Sequence, residues 1–140
     1  MKEIQQFRGE FSFLSNFYPV KITYGSCVFD SVEAAFQAIK SKDWNVRKQF
    51  EGLSPSVAKA LGRRIALRED WNEIRLKVME YLVREKFKNE FLRKKLLSTG
   101  DAVLIEGNYW NDKFWGVDLR TNQGENHLGK ILMKVRSELK

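Results

Sequence analysis

The sequence of 140 residues contains few of the residues that form covalent cross-links, metal sites and nucleophilic catalysts. It has one cysteine, Cys27, one histidine, His127, and two prolines. A single thiol excludes an intrachain disulfide and suits a reducing compartment. One Cys and one His far apart in the chain also argue against a Cys–His nucleophile and against a zinc site. We therefore predict no metal and no cofactor, and expect the chemistry to come from carboxylates, amides and aromatic rings.

Long apolar runs and the familiar nucleotide-binding motifs are missing as well. No stretch approaches the roughly 18 apolar residues of a membrane-spanning helix. The first residues, MKEIQQF, lack the apolar block of a signal peptide. The sequence contains neither a GxxxxGK[ST] loop nor a GxGxxG motif, which argues against a nucleoside-triphosphate or Rossmann site. These absences predict a soluble, cytoplasmic protein with no membrane partner.

Positive charge is in excess and is concentrated in one part of the chain. The formal net charge is +7, and residues 59–95 hold twelve Lys or Arg against six Asp or Glu. Such a field favours phosphorylated ligands or nucleic acid as partners. The alternative is a solvated helical surface on which basic and acidic side chains alternate.

The pattern of apolar residues predicts helices through the middle and at the end of the chain. Capping residues and helical spacing place them at 29–40, 43–52, 54–62, 68–87, 89–100 and 128–139. Short strands are predicted at 20–24, 27–29, 102–107 and 114–119. The length and the 43% hydrophobic content are sufficient for one core. We predict a single helix-dominated α+β domain over residues 1–140 with a few short strands.

The predicted helix FDSVEAAFQAIK carries an unusual line of polar side chains. Glu33, Gln37 and Lys40 follow the i, i+4, i+7 spacing and therefore share one stripe, whereas the rest of the helix is small or apolar. Asp30 or Ser31 can cap its start. One interpretation is that the stripe faces a ligand. The other is that Glu33 is a capping-box carboxylate on a solvent-exposed edge.

Two aromatic segments outside the helices contain polar residues that could bind a ligand. FLSNFYP places Asn16 among aromatic side chains, and NYWNDKFWG places Asp112 close to Trp115. Rings beside a carboxylate suit recognition of a planar base next to a sugar. They equally suit core packing, and Asn16 equally suits a turn.

Six segments, taken in order, resemble the YbiA-like, or NADAR, family: FLSNFYP, SVEAAFQAIK, ALGRR, DWNEIRLKVM, NDKFWG and GENHLGKILMKVR. The resemblance covers nearly the whole chain. It implies a YbiA-like fold and an N-glycosidase that hydrolyses the ribosyl C–N bond of a phosphoribosylamino-pyrimidine, an intermediate of riboflavin synthesis. Two alternatives stay open. One is an ADP-ribosyl hydrolase acting on modified nucleic acid bases or NAD-derived metabolites. The other is a non-catalytic module that binds ADP-ribose or nucleic acid.

The resemblance also implies roles for individual residues. Glu33 is the expected base or electrostatic partner of the ribosyl cation, and Asp112 is expected to assist the leaving group or to position ribose hydroxyls. A small phosphorylated ribosyl substrate would be bound by Asn16, Lys40, Arg63, Trp71, Trp115 and Asn126. Among these, Lys40 and Arg63 are expected to hold the phosphate, and the two tryptophans to flank the ribose and base. The sequence departs from the family at Ala34, where histidine is common, and at Val117–Asp118, where a glycine-rich run is common.

Overall fold

The structure is a computed structural model that describes residues 2–140, and helices account for most of its regular elements. In chain order the elements are β1 (Glu3–Ile4), a 3-10 helix (Gly9–Leu14), β2 (Ile22–Tyr24), β3 (Cys27–Phe29), α1 (Val32–Ile39), α2 (Trp44–Lys48), α3 (Pro55–Gly62), α4 (Trp71–Lys86), α5 (Glu90–Ser98), β4 (Val103–Leu104), β5 (Gly107–Asn108), β6 (Val117–Asp118) and α6 (His127–Leu139). The prediction of a helix-dominated α+β fold with short strands is confirmed.

The chain divides into two compact units, which are described separately. One comprises residues 16–86, and the other comprises residues 2–15 together with residues 87–140. The single domain expected over residues 1–140 stays a prediction. Within residues 2–140, no helix has both the length and the apolar content needed to cross a bilayer.

Helix α1 is the centre of the unit formed by residues 16–86. All eight of its residues are buried, and it packs against α3, α4, α2 and the antiparallel hairpin of β2 and β3. The hydroxyl of Ser31 caps the helix by accepting a hydrogen bond from the backbone N–H of Ala34 at 3.0 Å. Of the two capping residues predicted, the structure uses Ser31. Glu33 and Gln37 are therefore buried with the helix, whereas Lys40, just beyond its end, is half-buried.

The neighbouring helices begin where the sequence predicts. Asp43 caps α2, and Ser54 caps α3 with Pro55 at the first helical position. Helix α4 buries one face, formed by Trp71, Met79, Leu82, Val83 and Lys86. The burial of a lysine on this face was not predicted from the sequence.

The second unit combines the chain start with the last third of the chain. Strand β1 pairs in parallel with β4, and β5 pairs in parallel with β6. Helix α5 packs against α6, and α6 packs against β4, through apolar residues that include Leu92, Leu96 and Leu132. Each strand pair is only two residues long, so the polar loops between β5 and α6 depend on side-chain hydrogen bonds for their shape.

Candidate active site

Glu33 is a buried carboxylate in the first turn of α1. Its residue is 9% exposed, and its backbone N–H donates to the carbonyl oxygen of Asn16 at 3.0 Å. The interpretation of Glu33 as a capping carboxylate on a solvent-exposed edge is therefore wrong. A buried carboxylate is costly unless hydrogen bonds or charges compensate for its lost hydration. Both kinds of compensation are present in this unit.

One hydrogen bond to the Glu33 carboxylate comes from Gln37, one turn further along α1. Its Nε2 donates to Glu33 Oε2 at 2.6 Å, and the Gln37 residue is only 6% exposed. The other end of the amide, Oε1, is buried without a hydrogen-bond partner in the described part of the chain and faces Gly62 of α3. Gln37, the middle residue of the predicted stripe, is therefore directed at α3, and Lys40 is the stripe residue that stays partly exposed.

Three cationic side chains interact electrostatically at the Lys40 end of the predicted stripe. Burial lowers the pKa of Lys40, and the Glu33 carboxylate partly opposes that shift. The charges of Arg63 and Lys59 lower the pKa of Lys40 further. All three cations are therefore close enough to interact, and we call Lys40, Lys59 and Arg63 the cationic cluster. Like charges that lie close together raise the local positive potential, and such a potential attracts anions.

Helix α3 supplies Lys59 to the cationic cluster, and Arg63 directly follows the last residue of that helix. Lys59 and Arg63 are four residues apart and so lie on one side of the helix end. Arg63 is exposed and forms no ion pair with any of residues 2–140, and the Nζ of Lys59 lies 5.9 Å from the centroid of the Phe17 ring. Lys59 was not selected from the sequence. Its spacing of four residues before Arg63 was the available signal.

Asn16 and Trp71 belong to the same unit as Glu33. Besides accepting from the backbone of Glu33, Asn16 donates from Nδ2 to the Sδ of Met79 at 3.5 Å. Trp71 is 5% exposed and packs on Phe36, with ring centroids 4.9 Å apart at 55°. Asn16 thus supports the start of α1 and Trp71 supports its apolar face. Their binding of substrate stays a prediction.

Asp112 and Trp115 belong to the second unit, in a loop closed by Asn108. Asn108 donates from Nδ2 to the Asp112 carbonyl at 2.9 Å and accepts from the Asp112 backbone at 3.0 Å. The Oδ1 of Asp112 accepts from the backbone N–H groups of Phe114 and Trp115. The half-buried Trp115 ring meets Phe114 edge-on at 4.8 Å. One oxygen of Asp112 is therefore used to shape the turn.

Asn126 uses both ends of its amide on the backbone of the second unit. Its Oδ1 accepts from Glu106 N–H at 2.9 Å, and its Nδ2 donates to the carbonyl of Leu104 at 2.9 Å. Its φ of 55° lies in the left-handed region, where asparagine is among the tolerated residues. These bonds fix the start of α6 against the segment after β4. Substrate binding by Asn126 stays a prediction.

Potential metal ligands are dispersed over the part of the chain that the structure describes. Among residues 2–140, no three His, Cys, Asp or Glu side chains group into a site that could hold a metal ion. His127, at the start of α6, contacts the Phe114 ring at 4.5 Å and Glu125 at 3.2 Å. The groups that the structure places beside the Glu33 carboxylate are the Gln37 amide and the Lys40 ammonium.

Comparison with known proteins identifies the class. A family model described as the NADAR domain matches residues 4–140. The NMR structure of the E. coli protein YbiA has a TM-score of 0.82 and 31% identity, with 99% of this chain and 89% of that chain covered. The fold is therefore the YbiA-like fold.

Similar proteins of curated function support the same conclusion. The N-glycosidase Npun_R5314 of Nostoc punctiforme is 38% identical over 133 residues, 90% of this chain and 84% of that protein. The N-glycosidase YbiA of Escherichia coli is 36% identical over 129 residues, 89% and 79% of the two chains. The riboflavin biosynthesis protein VVA0006 of Vibrio vulnificus is 42% identical over 131 residues, which cover 91% of this chain but 35% of that protein. The chain belongs to the NADAR domain family.

Proposed function

We propose that this chain hydrolyses the ribosyl C–N bond of a phosphoribosylamino-pyrimidine, with Glu33 as the carboxylate that acts at the sugar. The enzyme class, a hydrolase acting on N-glycosyl bonds, follows from family membership and from the N-glycosidases described above. The identity of the substrate is what we propose. Its support is the riboflavin biosynthesis relative and the combination of a buried carboxylate with a cationic cluster. The buried cysteine suits the reducing cytoplasm as the proposed compartment.

The observation that carries the proposal is the 2.6 Å hydrogen bond between Gln37 and the buried Glu33 carboxylate. Cleavage of a ribosyl C–N bond develops positive charge on the sugar, and a fixed carboxylate stabilises that charge. In the proposed reaction a water oxygen bonds to the anomeric carbon while Glu33 accepts a proton from that water. The electron pair of the broken bond leaves with the nitrogen, which gains a proton, so one water is consumed for each bond cleaved.

The cationic cluster supports a phosphorylated substrate. Lys40, Lys59 and Arg63 place positive charge at the end of the same polar row that begins at Glu33. A ribose 5-phosphate group carries its negative charge a few bonds from the anomeric carbon. Binding this dianion would relieve the mutual repulsion of the three cations, so part of the affinity comes from the phosphate.

The decisive experiment compares one substrate with and without its phosphate. Purified protein is incubated with a phosphoribosylamino-pyrimidine and with the dephosphorylated riboside, and the release of ribose 5-phosphate or ribose is measured. We expect hydrolysis of the phosphorylated compound with a kcat/KM at least about tenfold higher. Equal rates would contradict the phosphate requirement. Absence of release from both compounds would favour the non-catalytic binding module.

ADP-ribosylated nucleic acid or an NAD-derived metabolite is the second candidate substrate. Its support lies in exposed cations outside the cationic cluster, such as Arg64 and Lys77, which form no ion pair with any of residues 2–140. Removal of ADP-ribose from a modified oligonucleotide would then fall steeply as salt is raised, because binding to phosphates releases counterions. Salt-insensitive turnover of the free nucleotide conjugate would instead indicate a small-molecule substrate.

A further inference from the structure

The amide of Gln37 is enclosed between a carboxylate and a glycine. On one side it donates to Glu33, and on the other a Cβ added to Gly62 would lie 1.9 Å from Oε1 and 2.7 Å from Cδ of Gln37. Both distances are far below van der Waals contact. The amide therefore occupies the space that any other residue at position 62 would need.

Stability alone explains neither the glycine at position 62 nor the burial of the Gln37 amide. Gly62 lies in the last turn of α3 with a backbone conformation open to every residue, and alanine is a better helix former than glycine. Gln37 Oε1 is buried without a hydrogen-bond partner among residues 2–140, and such a buried acceptor reduces stability. Two locally unfavourable choices at one contact indicate that the contact serves the site.

We propose that Gly62 and Gln37 are positioning residues that hold the Glu33 carboxylate in the orientation used for cleavage. The inference rests on the proposed function of Glu33. Packing against Gly62 prevents the amide from swinging away, so its Nε2 stays directed at Glu33 Oε2. The bond holds the carboxylate in one orientation. Gly62 contributes by lacking a side chain.

A double-mutant cycle tests the contact without any substrate. Gly62→Ala should lower Tm by forcing the Gln37 amide from its place. In the Gln37→Ala background the space is empty, so the same Gly62→Ala substitution should raise Tm, because the added methyl fills a gap and favours the helix. The reversal of sign is the expected result. An equal effect in both backgrounds would overturn the proposed contact.

Kinetics separate positioning from a merely structural role. Gly62→Ala should lower kcat roughly 10- to 100-fold, as expected for a displaced reacting group, and leave KM within about threefold because the cationic cluster is intact. Gly62→Ala added to Gln37→Ala should lower kcat no further. The matched control is Ala60→Gly on the exposed side of α3, which should lower Tm and leave kcat unchanged.

The possible failures are distinguishable. Unchanged kcat in Gly62→Ala, or a loss of kcat in the Ala60→Gly control proportional to its loss of Tm, would overturn the positioning role while leaving Glu33 as the acting carboxylate. Full turnover by Glu33→Gln would overturn the proposed function and the positioning role together. In that case the Tm values of the double-mutant cycle would still show whether Gly62 and Gln37 are in contact in the fold.

Discussion

Asp112 and Trp115 are joined by a hydrogen bond in which the backbone N–H of Trp115 donates to Oδ1 of Asp112 at 2.9 Å. The same oxygen accepts from Phe114 at 3.1 Å, so the carboxylate closes a turn as an asparagine could. A structural role for one oxygen and a chemical role for the other are compatible. The two roles can be separated by substitution.

Asp112→Asn should retain the turn, because the amide oxygen still accepts both backbone hydrogen bonds. Asp112→Ala should lose them and lower the free energy of unfolding by about 1–2 kcal/mol. If Asp112 also assists the leaving group, Asp112→Asn will keep a normal Tm and lose kcat. Thermal unfolding and steady-state kinetics on both variants give the answer, and full activity in Asp112→Asn would reduce the residue to its structural role.

Glu33→Gln should abolish most of the turnover. The substitution keeps the size of the side chain and its place beside Gln37 but removes the negative charge, so we expect kcat to fall by roughly 100- to 10,000-fold. Circular dichroism and Tm check that the fold is preserved. Glu69→Gln is the matched control, because Glu69 is exposed in the same unit and pairs with Lys42 at 2.7 Å. Near-normal turnover in Glu33→Gln would refute the proposed mechanism.

Removing a cation from the cationic cluster should weaken substrate binding more than it slows chemistry. Lys59→Ala and Arg63→Ala are each expected to raise KM for a phosphorylated substrate roughly tenfold with little change in kcat. The effect should vanish with a dephosphorylated substrate. Lys48→Ala serves as the control, because Lys48 is an exposed lysine on α2 of the same unit. An equal rise in KM for both substrates would argue against phosphate binding.

The charge on Lys40 should make substrate affinity sensitive to alkaline pH. Burial and nearby cations lower the pKa of Lys40, so its positive charge is lost at a lower pH than that of an ordinary lysine. KM for a phosphorylated substrate should therefore rise at pH values below those at which an ordinary lysine loses its proton. Lys40→Arg retains its charge at high pH and should flatten this rise. Identical KM–pH profiles for the two proteins would exclude Lys40 from phosphate binding.

Lys86 should impose a pH dependence on stability. Burial lowers the pKa of Lys86 from 10.5 to about 7. Between these values the unfolded chain binds the proton and the folded chain does not, so the free energy of unfolding rises with pH by up to about 1.4 kcal/mol per unit. Below pH 7 both states are protonated and this contribution is constant. Urea unfolding of Lys86→Met at pH 7 and pH 9 should lack that rise, and an unchanged pH slope would show that Lys86 is not its source.

Local sequence signals predicted the helices well because capping and periodicity act over a few residues. Ser31, Asp43 and Ser54 cap α1, α2 and α3 as their positions suggest. The β2–β3 hairpin also follows from its turn. The parallel pairing of β1 with β4 could not be predicted, because it joins segments about a hundred residues apart and each is only two residues long.

The sequence predicted which side chains belong to the candidate site but not how they are placed relative to one another. The polar stripe on α1 was visible, and the family resemblance selected Glu33, Lys40 and Arg63. Periodicity could not show which element covers the stripe, so the exposed-edge interpretation of Glu33 remained open until the fold excluded it. Lys59 and the roles of Gln37 and Gly62 were missed because they depend on how α1 and α3 meet.

By itself the sequence determined which segments form α-helices and which residues cap three of them, that the chain carries a basic excess, and which family it resembles, because these properties depend on residue type and local spacing. Only the tertiary structure decided that Glu33 is buried, that Gln37, which donates a hydrogen bond to it, is held against a glycine, and that Lys59 and Arg63 lie close enough to Lys40 to lower its pKa. Those facts depend on contacts between helices, and no local pattern encodes the distance between two atoms on different helices.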